Sequence, residues 1–121
     1  MTAAEATHAV FEAWERGDAD GVAALFAPDG RYEDPLFPEP LVGPAAIRDG
    51  VAPAIADIRD LRIPVKLIAE HGDTAICEAS FLSELASGDG RLDFEFAMVV
   101  EMRDGKIARL TEYFDASPFQ P

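Results

Sequence analysis

Residues 92–107 read LDFEFAMVVEMRDGKI, and this run decides the fold. Its even positions Phe94, Phe96, Met98, Val100 and Met102 are apolar, while its odd positions include Asp93, Glu95, Glu101 and Arg103. Successive side chains of a strand point to opposite faces, so Leu92 to Arg103 is a strand with one face on a core. Asp104-Gly105 is a strong hairpin signal, and Lys106 to Asp115 is the return strand. On it Ile107, Leu110 and Phe114 belong to the core side, which puts Glu112 there too. A carboxyl group at an inward position is costly unless it is paired or holds its proton.

Upstream, Thr74 to Leu85 reads as a strand followed by a small-residue turn, Ala86 to Gly90. Ile63 to Glu70 reads as the strand before it, ended by His71-Gly72-Asp73.

The first half of the chain has helical spacing instead. Thr2 can cap a helix over residues 2–15, with Glu5 three residues on as in a capping box. Thr7, Val10, Phe11 and Trp14 form its apolar stripe, and Gly17 ends it. Asp18 can cap a second helix, Ala19 to Phe26, which Pro28-Asp29-Gly30 closes as a turn. Gly43-Pro44 begins a third, with the stripe Ile47, Val51, Ile55 and Ile58; Pro53 is expected to kink or split it. Helices first and antiparallel strands after give an α+β class, with helices on one sheet face. A curved sheet under helices leaves a conical cavity, a usual small-molecule site. Ala116 to Pro121 reads as an irregular tail.

Between the second and third helices lies Gly30 to Gly43, GRYEDPLFPEPLVG. Asp34 precedes Pro35, which pushes it into an extended conformation. The loop behind it, Leu36-Phe37-Pro38-Glu39-Pro40-Leu41, is apolar and stiffened by prolines. A carboxylate beside an apolar cover is one way to build a proton-transfer base; ending a strand over a closed core is the other role open to Asp34. Trp14, the single tryptophan, fits either the core or a cavity wall on which a flat ligand stacks.

At 121 residues the chain fits one domain, residues 1–121, and 49% hydrophobic residues suffice for a real core. The formal net charge of -13 disfavours nucleic acid and anionic membrane surfaces as partners. One cysteine, Cys77, permits no internal disulfide and points to a reducing, cytoplasmic home. No run has the length of a membrane span, and the N-terminus lacks the pattern of a secretory signal. His8 and His71 have no metal spacing, and no Gly-rich phosphate loop is present, so neither metal nor cofactor is expected.

Four strings in order resemble the SnoaL-like branch of the nuclear-transport-factor-2-like superfamily over essentially the whole length. They are Trp14 to Asp18, Leu25 to Gly30, Glu33-Asp34-Pro35 with Gly43 following, and Asp104 to Ile107 leading to Glu112-Tyr113-Phe114-Asp115. The resemblance implies a cone of three helices on a strongly bent antiparallel sheet, a pocket inside, and a homodimer, commonly through the sheet's outer face. Members include ketosteroid isomerases, polyketide cyclases, epoxide hydrolases, dehydratases and non-catalytic binding proteins. Asp34 matches the proton-shuttling base of the isomerase subgroup. That subgroup's oxyanion-hole tyrosine falls on Val10, its supporting tyrosines on Phe26 and Val51, and its acid near Met98. Losing one oxyanion donor costs on the order of 100-fold or more, so efficient steroid isomerisation is not expected.

The expected function is a cofactor-free isomerase or cyclase acting on a small hydrophobic, carbonyl-bearing molecule. Asp34 moves a proton, and Glu112 or Tyr113 orients the substrate. Trp14, Ile47, Val51 and Ile55 are expected to line the pocket from the helices, and Phe81, Phe94, Phe96, Leu110 and Phe114 from the sheet. A binding protein without chemistry, or a dimeric assembly domain with a vestigial pocket, are the alternatives.

Overall fold

Thr2 caps the first helix, α1 (Ala3–Glu15), by the expected box. Its hydroxyl accepts the Glu5 N–H at 3.1 Å, and the Glu5 carboxylate accepts the Thr2 N–H at 2.8 Å. The computed structural model describes residues 1–119; the expected tail's Gln120 and Pro121 lie outside the described residues. Gly17, at φ +70, ends α1, and the Asp18 carboxylate accepts the Gly21 N–H at 2.8 Å to start α2 (Ala19–Ala23).

The second helix stops short of Phe26, which opens the strand β1 (Phe26–Glu33) and pairs with Ile107. Pro28-Asp29-Gly30 is therefore inside a strand and not a separate turn. An irregularity between Phe26 and Arg31 absorbs it. A two-residue strand, β2 (Leu41–Val42), returns the proline loop to β1, with Arg31 opposite Val42. The third helix, α3 (Pro44–Ala56), runs unbroken through Pro53. That proline sits in the last turn, so its missing N–H costs a single bond with little helix left to redirect.

Beyond α3 come β3 (Ile58–Arg62), β4 (Val65–His71), β5 (Thr74–Leu85), β6 (Arg91–Arg103) and β7 (Lys106–Tyr113). Ile58, read as the end of the helical stripe, instead opens β3. Within the described residues one seven-stranded sheet has the order β2-β1-β7-β6-β5-β3, with β4 also on β5. The α+β class stands, as a cone of three helices on a strongly curved sheet. The sheet is mixed rather than wholly antiparallel, because β1 runs parallel to β7. That one parallel pairing sets Tyr32 opposite Leu110 and Glu33 opposite Thr111, joining the two ends of the chain. The inner face of β6 is buried as its alternation requires, with Phe96, Met98 and Val100 in the core beside Val10, Val22 and Ile47.

Candidate functional site

The inner face of the sheet, α1 and the proline loop do not close completely. A cavity of about 230 Å³ lies between them. Val10, Phe11 and Trp14 face it from α1, and Phe81, Phe94 and Phe96 from the sheet. The aromatic walls are fixed by one another. Phe81 stacks on Phe94 with centroids 5.1 Å apart, Trp14 meets Phe81 edge-on at 6.1 Å, and Phe11 meets Phe96 edge-on at 5.8 Å.

Two carboxyl groups, Asp34 and Glu112, are the only ionisable side chains on this surface among the described residues. Asp34 leaves the end of β1. Its Oδ1 accepts the Leu36 N–H at 2.8 Å, and its carbonyl accepts the Phe37 N–H at 3.0 Å, so the turn after Pro35 fixes the carboxylate. Glu112 enters from β7 and faces the same cavity as Asp34, close enough for the two carboxyl groups to influence each other. The Tyr32 hydroxyl donates to Glu112 Oε1 at 2.5 Å from beneath. Tyr32 is fully buried, stacked on Phe26 at 5.7 Å and edge-on to Phe37 at 5.5 Å.

Burial first, then the Asp34 hydrogen bond and charge, push the Glu112 carboxyl well above its ordinary value; the Tyr32 bond opposes the shift. Burial and the Glu112 charge likewise push the Tyr32 phenol well above its ordinary value, so it remains a donor. The otherwise apolar cavity thus carries two carboxyl groups, of which Glu112 is held toward its neutral form, an arrangement suited to proton transfer.

Of the residues expected to contact a ligand, Trp14, Phe81, Phe94, Phe96 and Phe114 lie on the cavity wall with Asp34 and Glu112. Ile47, Val51 and Leu110 are instead fully buried in the packed core, and Ile55 packs against that core without reaching the cavity. The cavity meets this region only at Ala54, in the last turn of α3, and at Ile58, which opens β3. Tyr113 is corrected as well. Its neighbour Glu112 points inward, so it must point outward, and it stands 54% exposed on the outer face of the sheet near Lys66 and Glu95.

Tyr32, Phe37 and Phe119 were not foreseen in the site. Strand alternation carried the signal for Tyr32, which shares a face with Asp34 two residues on.

Cys77 is buried, and burial pushes its thiol up to about 11, as suits an inert side chain. His8 and His71 are both exposed, and no group of three or more potential metal ligands exists among the described residues. None of these helices is long and apolar enough to cross a membrane.

The same architecture occurs in solved structures. A Catenulispora acidiphila protein with a ketosteroid isomerase-like fold, solved with trimethylamine, matches with TM-score 0.85 at 22% identity, over 96% of this chain and 89% of that one. A Pseudomonas putida protein, provisionally named a polyketide cyclase, matches with TM-score 0.83 at 21% identity, over 98% and 96%. At these identities the likeness is one of fold. A 39-residue stretch is 51% identical to the epoxide hydrolase LasB of Streptomyces lasalocidi, spanning 32% of this chain and 14% of that protein. The SnoaL-like domain model matches residues 7–110, and the chain belongs to that family.

Proposed function

We propose that the chain is an acid–base enzyme for a small, hydrophobic, oxygen-bearing molecule, with isomerase or cyclase chemistry at a carbonyl compound as the leading case. The observation that carries this reading is the Asp34–Glu112 pair facing an aromatic-walled cavity. Asp34 takes a proton from the carbon next to the carbonyl. Glu112, still protonated, turns its single O–H from Asp34 to the oxygen on which charge develops, and Asp34 then returns the proton to a second carbon. Such a route needs only a placed base, a placed donor and exclusion of water. The Glu112 acid supplies from β7 the donor that Val10 and Met98 cannot.

A second reading is ring opening of an epoxide, favoured by the local identity to LasB. Glu112 would protonate the leaving oxygen, and Asp34 would activate the attacking group. In either reading we expect two copies of the chain to pair through the outer face of the sheet, where Leu67, Ile76 and Tyr113 are exposed.

The test is a titration of wild type and Asp34→Asn with flat ketones, phenols, steroids and epoxides, followed by Trp14 fluorescence. Every binder is then examined by mass spectrometry and NMR for conversion. Binding to both proteins with conversion by wild type alone supports the enzyme; binding with conversion by neither returns the chain to a carrier.

A further inference from the structure

The segment after β7 turns back over the cavity. Ser117–Phe119 forms a single helical turn, closed by the Phe119 N–H on the Ala116 carbonyl at 2.9 Å. Asp115 anchors it: its Oδ1 accepts both the Ser117 N–H at 3.0 Å and the Ser117 hydroxyl at 2.7 Å. Phe119 is thereby carried back over the wall, edge-on to Phe94 at 5.1 Å and to Phe114 at 6.0 Å. It lines the cavity beside those rings. Its ring does not fill the cavity it borders, which keeps about 230 Å³.

The β6 register gives the depth of each wall residue. Glu112 stands opposite Met98, and Leu92 lies six residues further along β6, on the order of 20 Å at the usual strand rise. Phe94 lies four residues along β6 from Met98, and Phe114 two residues beyond Glu112, so Phe119, which packs on both, covers the wall on the Leu92 side of the acid pair. The exposed Leu36 and Ala54 also border the cavity, from the proline loop and the end of α3.

We infer that Phe119 is a specificity-determining residue, the part of the wall that sets how long an apolar molecule can be while one end rests on Asp34 and Glu112. This rests on the reading of the cavity as a site for an apolar ligand. The ligand class it selects is a flat molecule of about two fused rings, with its oxygen at the acid pair and no bulky substituent at the Phe119 end. A longer molecule must displace the Phe119 ring from its seat on Phe94.

Two neutral probes test this, 2-naphthol and the longer N-phenyl-1-naphthylamine, titrated against wild type, Phe119→Ala and Phe119→Trp. Circular dichroism melts establish that each variant is folded, and Ser117→Ala loosens the anchor without touching the wall. Wild type is expected to prefer 2-naphthol. Phe119→Ala should shift the ratio of the two affinities toward the longer probe by roughly five- to tenfold, the size of one aromatic contact. Ser117→Ala should shift it the same way by less, and Phe119→Trp the opposite way. Folded variants with an unchanged ratio would overturn the assignment of Phe119 alone. Failure of wild type to bind either probe would overturn the cavity reading, and this inference with it.

Discussion

The Tyr32 hydroxyl and the Glu112 carboxyl, 80 residues apart in sequence, meet at 2.5 Å beneath the cavity. The parallel pairing of β1 with β7 brings them together. The bond favours the charged form of Glu112, whereas burial and Asp34 favour the neutral form and win. Tyr32→Phe therefore raises the Glu112 pKa further. The expected result is an alkaline limb of the pH–rate profile displaced to higher pH, with turnover near neutrality kept within about tenfold because the change moves Glu112 further toward its acid form. Stability should fall by about 1–2 kcal/mol, since Glu112 Oε1 loses its buried donor. A profile displaced to lower pH would contradict the balance of forces described.

Glu112 also sets a pH dependence of stability. Its folded pKa lies above the unfolded value of 4.5, so between the two the folded state holds a proton that the unfolded state has released. This contribution is complete below pH 4.5 and declines as pH rises through the folded pKa. Glu112→Gln keeps the shape and removes the titration. Melting temperatures of the two proteins from pH 5 to 9 should diverge with rising pH, the variant gaining on wild type; parallel curves would mean that Glu112 is not protonated in the fold.

Asp34→Asn should remove turnover by at least about 100-fold, the usual scale of a lost general base, while neutral ligands still bind. The turn should survive, because the Asn carbonyl can accept the Leu36 N–H as Oδ1 does now. A second consequence is less direct. Asp34 raises the Glu112 pKa by hydrogen bond and charge, so its neutralisation should bring that pKa down. A carbon-13 NMR titration of the Glu112 carboxyl measures this shift separately from any assay.

What could be read from the sequence follows from which forces are local. β5, β6 and β7 were legible because alternation is a property of each strand alone, and Asp104-Gly105 fixes their hairpin, with Asp104 at φ 52 and Gly105 at φ 78. β3 was hidden. Arg59, Asp60 and Arg62 lie on an exposed strand, and Asp60 at φ 56 breaks its alternation. In the site, parity identified Glu112, and the position before Pro35 beside an apolar loop identified Asp34, but neither pattern measures depth. Parity therefore assigned the buried Leu110 to the cavity, helical spacing assigned the buried Val51 to it, and neither ranked Tyr32 above its neighbours. Tyr32 acquires its partner only through a pairing between the two ends of the chain, which no local pattern encodes.

Tyr113 offers a check on that distinction. Placed outward by its parity with Glu112, it should have no part in ligand capture. Tyr113→Ala is expected to leave 2-naphthol affinity within about twofold, because a residue without contact to a ligand changes binding little. The same substitution should weaken pairing of two copies if that face joins them, which sedimentation at several concentrations measures. A large loss of affinity in a protein whose self-association is unchanged would return Tyr113 to the cavity.

Gly30 ties the fold to the site most directly. A Cβ there would stand 2.7 Å from the Ile107 carbonyl oxygen, 3.0 Å from the Ala27 oxygen and 3.1 Å from the Phe26 Cβ. Two of these are backbone atoms, so β1 must move away from β7 to admit a methyl group. Gly30→Ala is expected to cost about 1–3 kcal/mol, the range for forcing volume into a packed site, measured by urea denaturation. The damage should reach the chemistry, because Tyr32 and Asp34 follow two and four residues along the same strand and loop. A displacement of even 1 Å at reacting groups can cost on the order of 100-fold in rate. The variant should therefore lose turnover even where it is fully folded, well below its melting temperature. If folded Gly30→Ala kept wild-type turnover, the β1–β7 pairing would not be what holds the acid pair in place.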